Sequence, residues 1–208
     1  RGKLINPKLI DRIQDSEGNT IFNSESRECE GCGEISYLSN KIPKIKSNFR
    51  QIFSSETAYQ VTSILEGTAK RGTAKGLREL NLDLAGKTGT TNKNTDTWFI
   101  GFSSNYVIGV YVGYDEPSSL GRFETGASTA MPIFKNFVQN VVKKDNARPF
   151  KIPEGIKMLV VNSKTGERAS YNDDSIIIEV FKEKDLINNK IQYGNTEYIS
   201  KENIYKFY

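Results

Sequence analysis

Residues 85–90 read Ala85-Gly86-Lys87-Thr88-Gly89-Thr90, and the chain continues through Asp96-Thr97-Trp98-Phe99-Ile100-Gly101-Phe102 and then residues 106–114. The last two segments alternate like paired strands, with the short stretch 103–105 as the turn between them. A three-stranded antiparallel meander over residues 82–90, 96–102 and 106–114 follows from this reading.

Two helices flank the meander. Ser54 or Ser55 opens the first, with Glu56 in its first turn and Ala58, Val61, Ile64, Leu65 and Ala69 on one face. Lys70-Arg71-Gly72 closes it, setting basic groups at the negative end of the helix dipole and Gly72 where a left-handed cap is expected. Residues 72–81 read as a loop. The second helix is predicted over 131–144, where Phe134, Phe137, Val138, Val141 and Val142 form a stripe that should pack on a sheet face. Pro132 is tolerated only in the first turn, which fixes the helix start. Upstream, residues 4–22 read as a hairpin turning at Asp15-Ser16-Glu17-Gly18-Asn19, and 23–48 as a polar surface loop. Downstream, residues 156–161 and 176–181 make a small strand pair around the turn 162–166.

Composition removes several classes of function. A chain of 208 residues can bury a sizeable core. Its 29 basic and 25 acidic residues are spread along the chain, and no basic run carries interleaved aromatics, so a nucleic-acid role has no footprint. No apolar run reaches the roughly 20 residues of a membrane span, so any export or anchoring element is expected upstream. There is no histidine. Triads that use His, Cys-His pairs and His-ligated metal sites are therefore excluded, and acid-base chemistry falls to Lys, Tyr, Asp or Glu. The two cysteines form Cys29-Glu30-Gly31-Cys32. A loop staple or two free thiols is favoured over half a zinc site, which wants four ligands, or a redox pair, which wants a βαβ context.

A bare Lys-Thr-Gly triplet is a weak signal, but its surroundings are specific. The helix from Ser55 to Gly67, the step Lys70-Arg71-Gly72-Thr73-Ala74, the motif, the strand Asp96–Phe102 and Thr129-Ala130-Met131-Pro132-Ile133-Phe134 occur in the order and spacing of one family. Over residues 4–157 the chain resembles the C-terminal part of the transpeptidase domain of class A penicillin-binding proteins, which are bifunctional glycosyltransferase/transpeptidases. The resemblance implies an α+β fold, a partial serine β-lactamase/transpeptidase-like architecture with the motif strand at the edge of the antiparallel sheet and the C-terminal helix on one face. Residues 1–148 then form the transpeptidase portion; after 148 the composition changes, and residues 149–208, rich in Lys, Glu, Asn and Tyr from 182 onward, read as an appended polar extension, partly disordered near its end.

The implied reaction is cross-linking of peptidoglycan stem peptides ending in D-Ala-D-Ala through an acyl-serine intermediate, with β-lactams as inhibitors and no metal or organic cofactor. Such chemistry needs a nucleophile, a base, oxyanion donors and a cationic, hydroxyl-lined site for the terminal carboxylate. By resemblance, Lys87 supplies positive potential, Thr88 and Thr90 bind the carboxylate through their hydroxyls, Gly89 admits the substrate close to the backbone, and the Thr90 N–H is one of two oxyanion donors. Lys87 and Thr90 are thus the catalytic candidates, and Lys87, Thr88, Gly89 and Thr90 the substrate-binding set.

The family's full set is S-x-x-K, S-D-N and K-T-G. No serine here is followed three residues later by lysine. Ser103-Ser104-Asn105 has the S-x-N spelling but follows Lys87, whereas the family places that element before it, and a hairpin turn accounts for it. The expectation is a chain inert alone, cut from the half that carries the serine, the glycosyltransferase domain and a membrane anchor facing the periplasm. A piece so isolated should expose apolar surface or associate. Two alternatives remain at this stage. A non-catalytic module binding the cell wall or a partner would retain the fold without the chemistry. A phosphate-binding loop ending in Gly86-Lys87-Thr88 would require Gly at 81, where Asn81 stands, and a helix next.

Overall fold

In a computed structural model of the chain, residues 1–24, 29–30, 44–45, 49–142 and 148–188 are described. Two compact units divide at residue 54.

The first unit holds the predicted hairpin in short form, β1 (Arg12–Gln14) with β2 (Thr20–Asn23), paired antiparallel. Its turn is built on Asp15, whose carboxylate accepts from the Glu17 and Asn19 N–H groups at 3.0 and 2.8 Å while Gly18 takes φ 86°. A second two-stranded ladder joins β3 (Cys29–Glu30) to β4 (Lys44–Ile45). Cys29 is disulfide-bonded, in keeping with a staple and not a free thiol; Cys32 and most of the predicted polar loop lie outside the described residues.

In the second unit the predicted meander is present. β5 (Ala85–Thr90), β6 (Asp96–Phe102) and β7 (Val107–Gly113) form one antiparallel sheet with β5 at an edge. Ser103-Ser104-Asn105 is its β6–β7 turn: the Ser103 N–H donates to Tyr106 O at 2.9 Å, and Ser103 Oγ accepts from the Asn105 and Tyr106 N–H groups at 3.2 Å.

Helix α1 (Ser55–Lys70) precedes the sheet and α2 (Ala130–Val141) follows it. The core forms between α2, the sheet and the end of α1, around Leu77, Leu84, Phe99, Phe134 and Val138. Gly101 is needed there, because a Cβ would come within 2.6 Å of the Phe134 ring. Phe134 packs edge-on to Phe99 at 4.7 Å between centroids.

Three expectations need correction. Residues 72–81 are not a plain loop with a left-handed Gly72: a 3₁₀ helix, Lys75–Leu80, buries Leu77 and Leu80, and it is Asn81, at φ 55°, that takes the left-handed conformation at its end. β5 starts at Ala85 and not at 82, since Leu82 and Leu84 are spent on the core. On α2 the buried stripe is Ala130, Phe134, Val138 and Val142, spaced by four, while Phe137 and Val141 stay exposed. Val61 and Ile64 of α1 are likewise exposed.

Beyond α2, the predicted strand pair is present as β8 (Ile156–Asn162) and β9 (Ile176–Lys182), antiparallel, followed by α3 (Glu183–Asn188). The hairpin joins α1 through Gln60 Nε2 to Val180 O at 3.3 Å, and the residue just after α1 through Arg71–Glu179 at 2.5 Å. The end of the polar extension, residues 189–208, lies outside the described residues.

Candidate active site

Strand β5 carries all the predicted site residues, and its pairing determines which way each one points. Thr88 lies opposite Phe99 and Thr90 opposite Thr97, both buried under α2; Lys87 and Gly89 lie opposite Ile100 and Trp98 on the exposed face. Side chains therefore alternate across the sheet. The Lys87 ammonium nonetheless comes back to the strand, donating to Thr88 O at 2.9 Å and Thr88 Oγ1 at 3.4 Å.

Backbone groups alternate in the same way, toward the neighbouring strand or away from it. Independent bonds set the phase. The Thr91 N–H donates to Asp96 O at 3.0 Å across the hairpin, so residues 91, 89 and 87 face β6. The Gly86 carbonyl instead accepts from Thr68 Oγ1 of α1, and the Thr88 carbonyl from Lys87 Nζ. Residues 86, 88 and 90 thus turn their backbone groups to the open edge. The Thr90 N–H is one of them, on the side where an extended peptide could lie alongside.

Each motif hydroxyl has a partner from another element. Thr88 Oγ1 lies 3.2 Å from Thr73 Oγ1, and Thr90 Oγ1 accepts from the Gly126 N–H at 3.1 Å. The second bond uses the acceptor capacity of Thr90 and leaves its proton to be donated outward. Gly126 also sits hard against the sheet: a Cβ would fall 2.4 Å from Trp98 O and 2.7 Å from Gly89 O. Behind it, Ser128 Oγ accepts from the Thr125 N–H at 2.8 Å, and the Thr97 and Thr129 hydroxyls meet at 2.6 Å inside the sheet–α2 layer.

The turn after β5 is braced as well. Asn94, at φ 54°, donates from its side chain to Glu124 O at 2.6 Å and accepts from the Leu120 N–H at 2.9 Å. Asp96 receives the Tyr111 hydroxyl at 2.7 Å, the Thr95 hydroxyl at 2.9 Å and the Thr91 hydroxyl at 3.3 Å. These bonds, Tyr111's foremost, hold the Asp96 carboxyl below the ordinary range, and the same bond raises the Tyr111 phenol.

A phosphate-binding loop is excluded by geometry, since Gly86-Lys87-Thr88 runs on as strand and not into a helix. Among the described residues no group of three or more acidic or cysteine side chains could hold a metal ion. Sequence reading missed Gly126 and Thr73 as neighbours of the motif. The run of small residues Thr125-Gly126-Ala127-Ser128-Thr129 before a helix was the available signal for close backbone approach.

Residues 1–139 match the family described as penicillin binding protein transpeptidase domain. Penicillin-binding protein 1A of Rickettsia bellii is 38% identical over 188 residues, covering 89% of this chain and 23% of that protein. Its counterpart in Rickettsia prowazekii is 36% identical over 208 residues, covering 99% and 26%, and that of Pseudomonas aeruginosa 33% identical over 216 residues, covering 88% and 26%. The crystal structure of penicillin-binding protein 1A from Haemophilus influenzae superposes with a TM-score of 0.68 at 27% identity, over 96% of this chain and 31% of that one. The chain spans about a quarter of the length of the curated relatives it matches. With its helix–meander–helix order, its edge-strand Lys-Thr-Gly motif and these matches, the chain belongs to the penicillin-binding protein transpeptidase family.

Proposed function

We propose that this chain supplies the substrate-binding strand of a D,D-transpeptidase that cross-links peptidoglycan stem peptides through an acyl-serine intermediate. The observation that carries the reading is the open edge of β5, where outward-facing backbone groups, the Lys87 ammonium and the Thr88 and Thr90 hydroxyls converge on one strand. An extended D-Ala-D-Ala terminus would pair with that edge. Its carboxylate would lie near Lys87, Thr88 and Thr90, Gly89 would admit it close to the backbone, and its scissile carbonyl oxygen would lie at the Thr90 N–H.

The nucleophilic serine and its companion lysine come from a segment preceding this chain in the same polypeptide, since no S-x-x-K occurs here. Residues 1–208 alone are therefore inert toward both stem peptides and β-lactams. Residues 1–148 belong to the transpeptidase portion and 149–208 form an appended region. The parent enzyme acts at the outer face of the cytoplasmic membrane, held by an upstream anchor, and requires no cofactor.

The test is a fluorescent-penicillin label on membranes of the source cell, probed on one gel with antibody against this chain. A labelled, antibody-positive band much larger than 208 residues is expected. An antibody band that never takes up label would overturn the catalytic reading in favour of a module retained for binding alone.

A further inference from the structure

Thr73 is exposed, yet its main chain is pinned on both sides. At the end of α1 the Thr68 carbonyl accepts both the Gly72 N–H at 3.1 Å and the Ala74 N–H at 3.0 Å. Gly72 is pressed against Thr68, where a Cβ would come within 2.8 Å of its Cα, and Ala74 is fully buried in the core. The Thr68 hydroxyl meanwhile shares its proton between Leu65 O of its own helix, at 2.8 Å, and Gly86 O, two residues before Thr88. The two ends of Thr68, carbonyl and hydroxyl, thus hold the Gly72–Ala74 turn and the motif strand in one register, which brings Thr73 Oγ1 to 3.2 Å from Thr88 Oγ1.

We propose that Thr73 is a positioning residue of the carboxylate site, which holds the Thr88 hydroxyl ready for substrate. The inference rests on the reading of β5 as that site. A hydroxyl has one proton and two lone pairs. Lys87 Nζ donates into Thr88 Oγ1 at 3.4 Å and occupies one lone pair, which leaves the Thr88 proton to be donated to Thr73 Oγ1, 3.2 Å away, or to a bound carboxylate. Thr73 and a substrate carboxylate are thus alternative acceptors of the one Thr88 proton. When a carboxylate arrives, the Thr88 proton passes to it by rotation of the hydroxyl, and Thr73 reverses to donate into Thr88 Oγ1. No reorganisation of the strand is needed, which is the condition for efficient electrostatic binding.

The test uses the polypeptide in which this chain follows its S-x-x-K segment, with acylation by a fluorescent penicillin as readout. Thr73→Val keeps the shape and removes the hydroxyl. Its second-order acylation rate is expected to fall about five- to tenfold, the worth of one neutral hydrogen bond. Thr73→Ser restores the bond and is expected to remain within about twofold of the parent. In a Thr88→Val background, Thr73→Val should cost nothing further, because the hydroxyl it positions is gone.

Unchanged acylation by Thr73→Val beside a slow Thr88→Val overturns this inference and leaves the reading of β5 standing. Parent-like acylation by Thr88→Val overturns the reading of β5 itself. Additive losses in the double variant, or a slow Thr73→Val that Thr73→Ser does not rescue, show a role in folding alone and also overturn the proposal.

Discussion

Replacing Gly126 by alanine tests the backing of the motif strand. The added Cβ would stand 2.4 Å from Trp98 O and 2.7 Å from Gly89 O, where ordinary contact begins at 3.4 Å. Both oxygens belong to backbone of the central sheet, so no flexible side-chain end can yield. Either the 125–129 turn retreats or β5 shifts, by on the order of 0.7 to 1 Å, and both movements break the Gly126 N–H bond to Thr90 Oγ1. A misplacement of about 1 Å at a reacting centre costs on the order of 100-fold in rate, while the overpacking itself costs about 1 to 3 kcal/mol of stability. In the full polypeptide, Gly126→Ala should acylate with fluorescent penicillin roughly 100-fold more slowly while still unfolding cooperatively. The carboxylate dependence gives the assay a second arm. A penicillin whose carboxylate is esterified gains little from Thr90, so the variant's loss toward it should be smaller. Parent-like acylation by Gly126→Ala, or an equal loss toward acid and ester, would refute the argument that this glycine serves the Thr90 hydroxyl.

Three further outcomes follow from the packing and the electrostatics. Phe134→Ala removes a fully buried ring at 4.7 Å from Phe99 and should cost about 3 to 5 kcal/mol in urea denaturation, with a loss under about 1 kcal/mol contradicting the described core. The Asp96 carboxyl is lower in the folded chain than in the unfolded one, so its contribution is present above the unfolded value near 3.8 and is lost as pH falls through the folded value. Tyr111→Phe removes the largest cause, and NMR titration should find the Asp96 carboxyl moved up toward the ordinary range; an unmoved titration would assign the shift to Thr95 and Thr91. The chain by itself should bind a hydrophobic dye or self-associate, because Trp98, Ile100 and Val107 are 43%, 51% and 79% exposed and Ile133, Phe137 and Val141 line the outer side of α2. A monomeric, cooperative transition without dye binding would contradict this.

The local patterns were legible where they depend on near neighbours. Alternation along 96–102, the Ser103-Ser104-Asn105 turn, and Pro132 in the first turn of a helix each follow from backbone chemistry within a few residues, and each is found. The narrowing of the buried stripe on α2 was not legible, because the width of apolar surface a helix can cover depends on the partner it meets. Phe137 and Phe134 look alike in sequence, and only the sheet beneath, with Gly101 opened to admit one ring, separates them. The same is true of residues 75–80, where Leu77 and Leu80 become a 3₁₀ turn because the core beside α2 takes them.

Sequence by itself determined the family, the strand that carries Lys87, Thr88, Gly89 and Thr90, and the lack of an S-x-x-K spelling within residues 1–208, since these are matters of residue type and spacing. The tertiary structure alone decided which backbone groups of that strand face outward and what stands behind its hydroxyls. Thr73 lies 15 positions before its partner Thr88, and Gly126 lies 36 after Thr90. Hydrogen bonds act over about 3 Å in space whatever the separation along the chain, so such partners come into view only when the folded backbone brings them together.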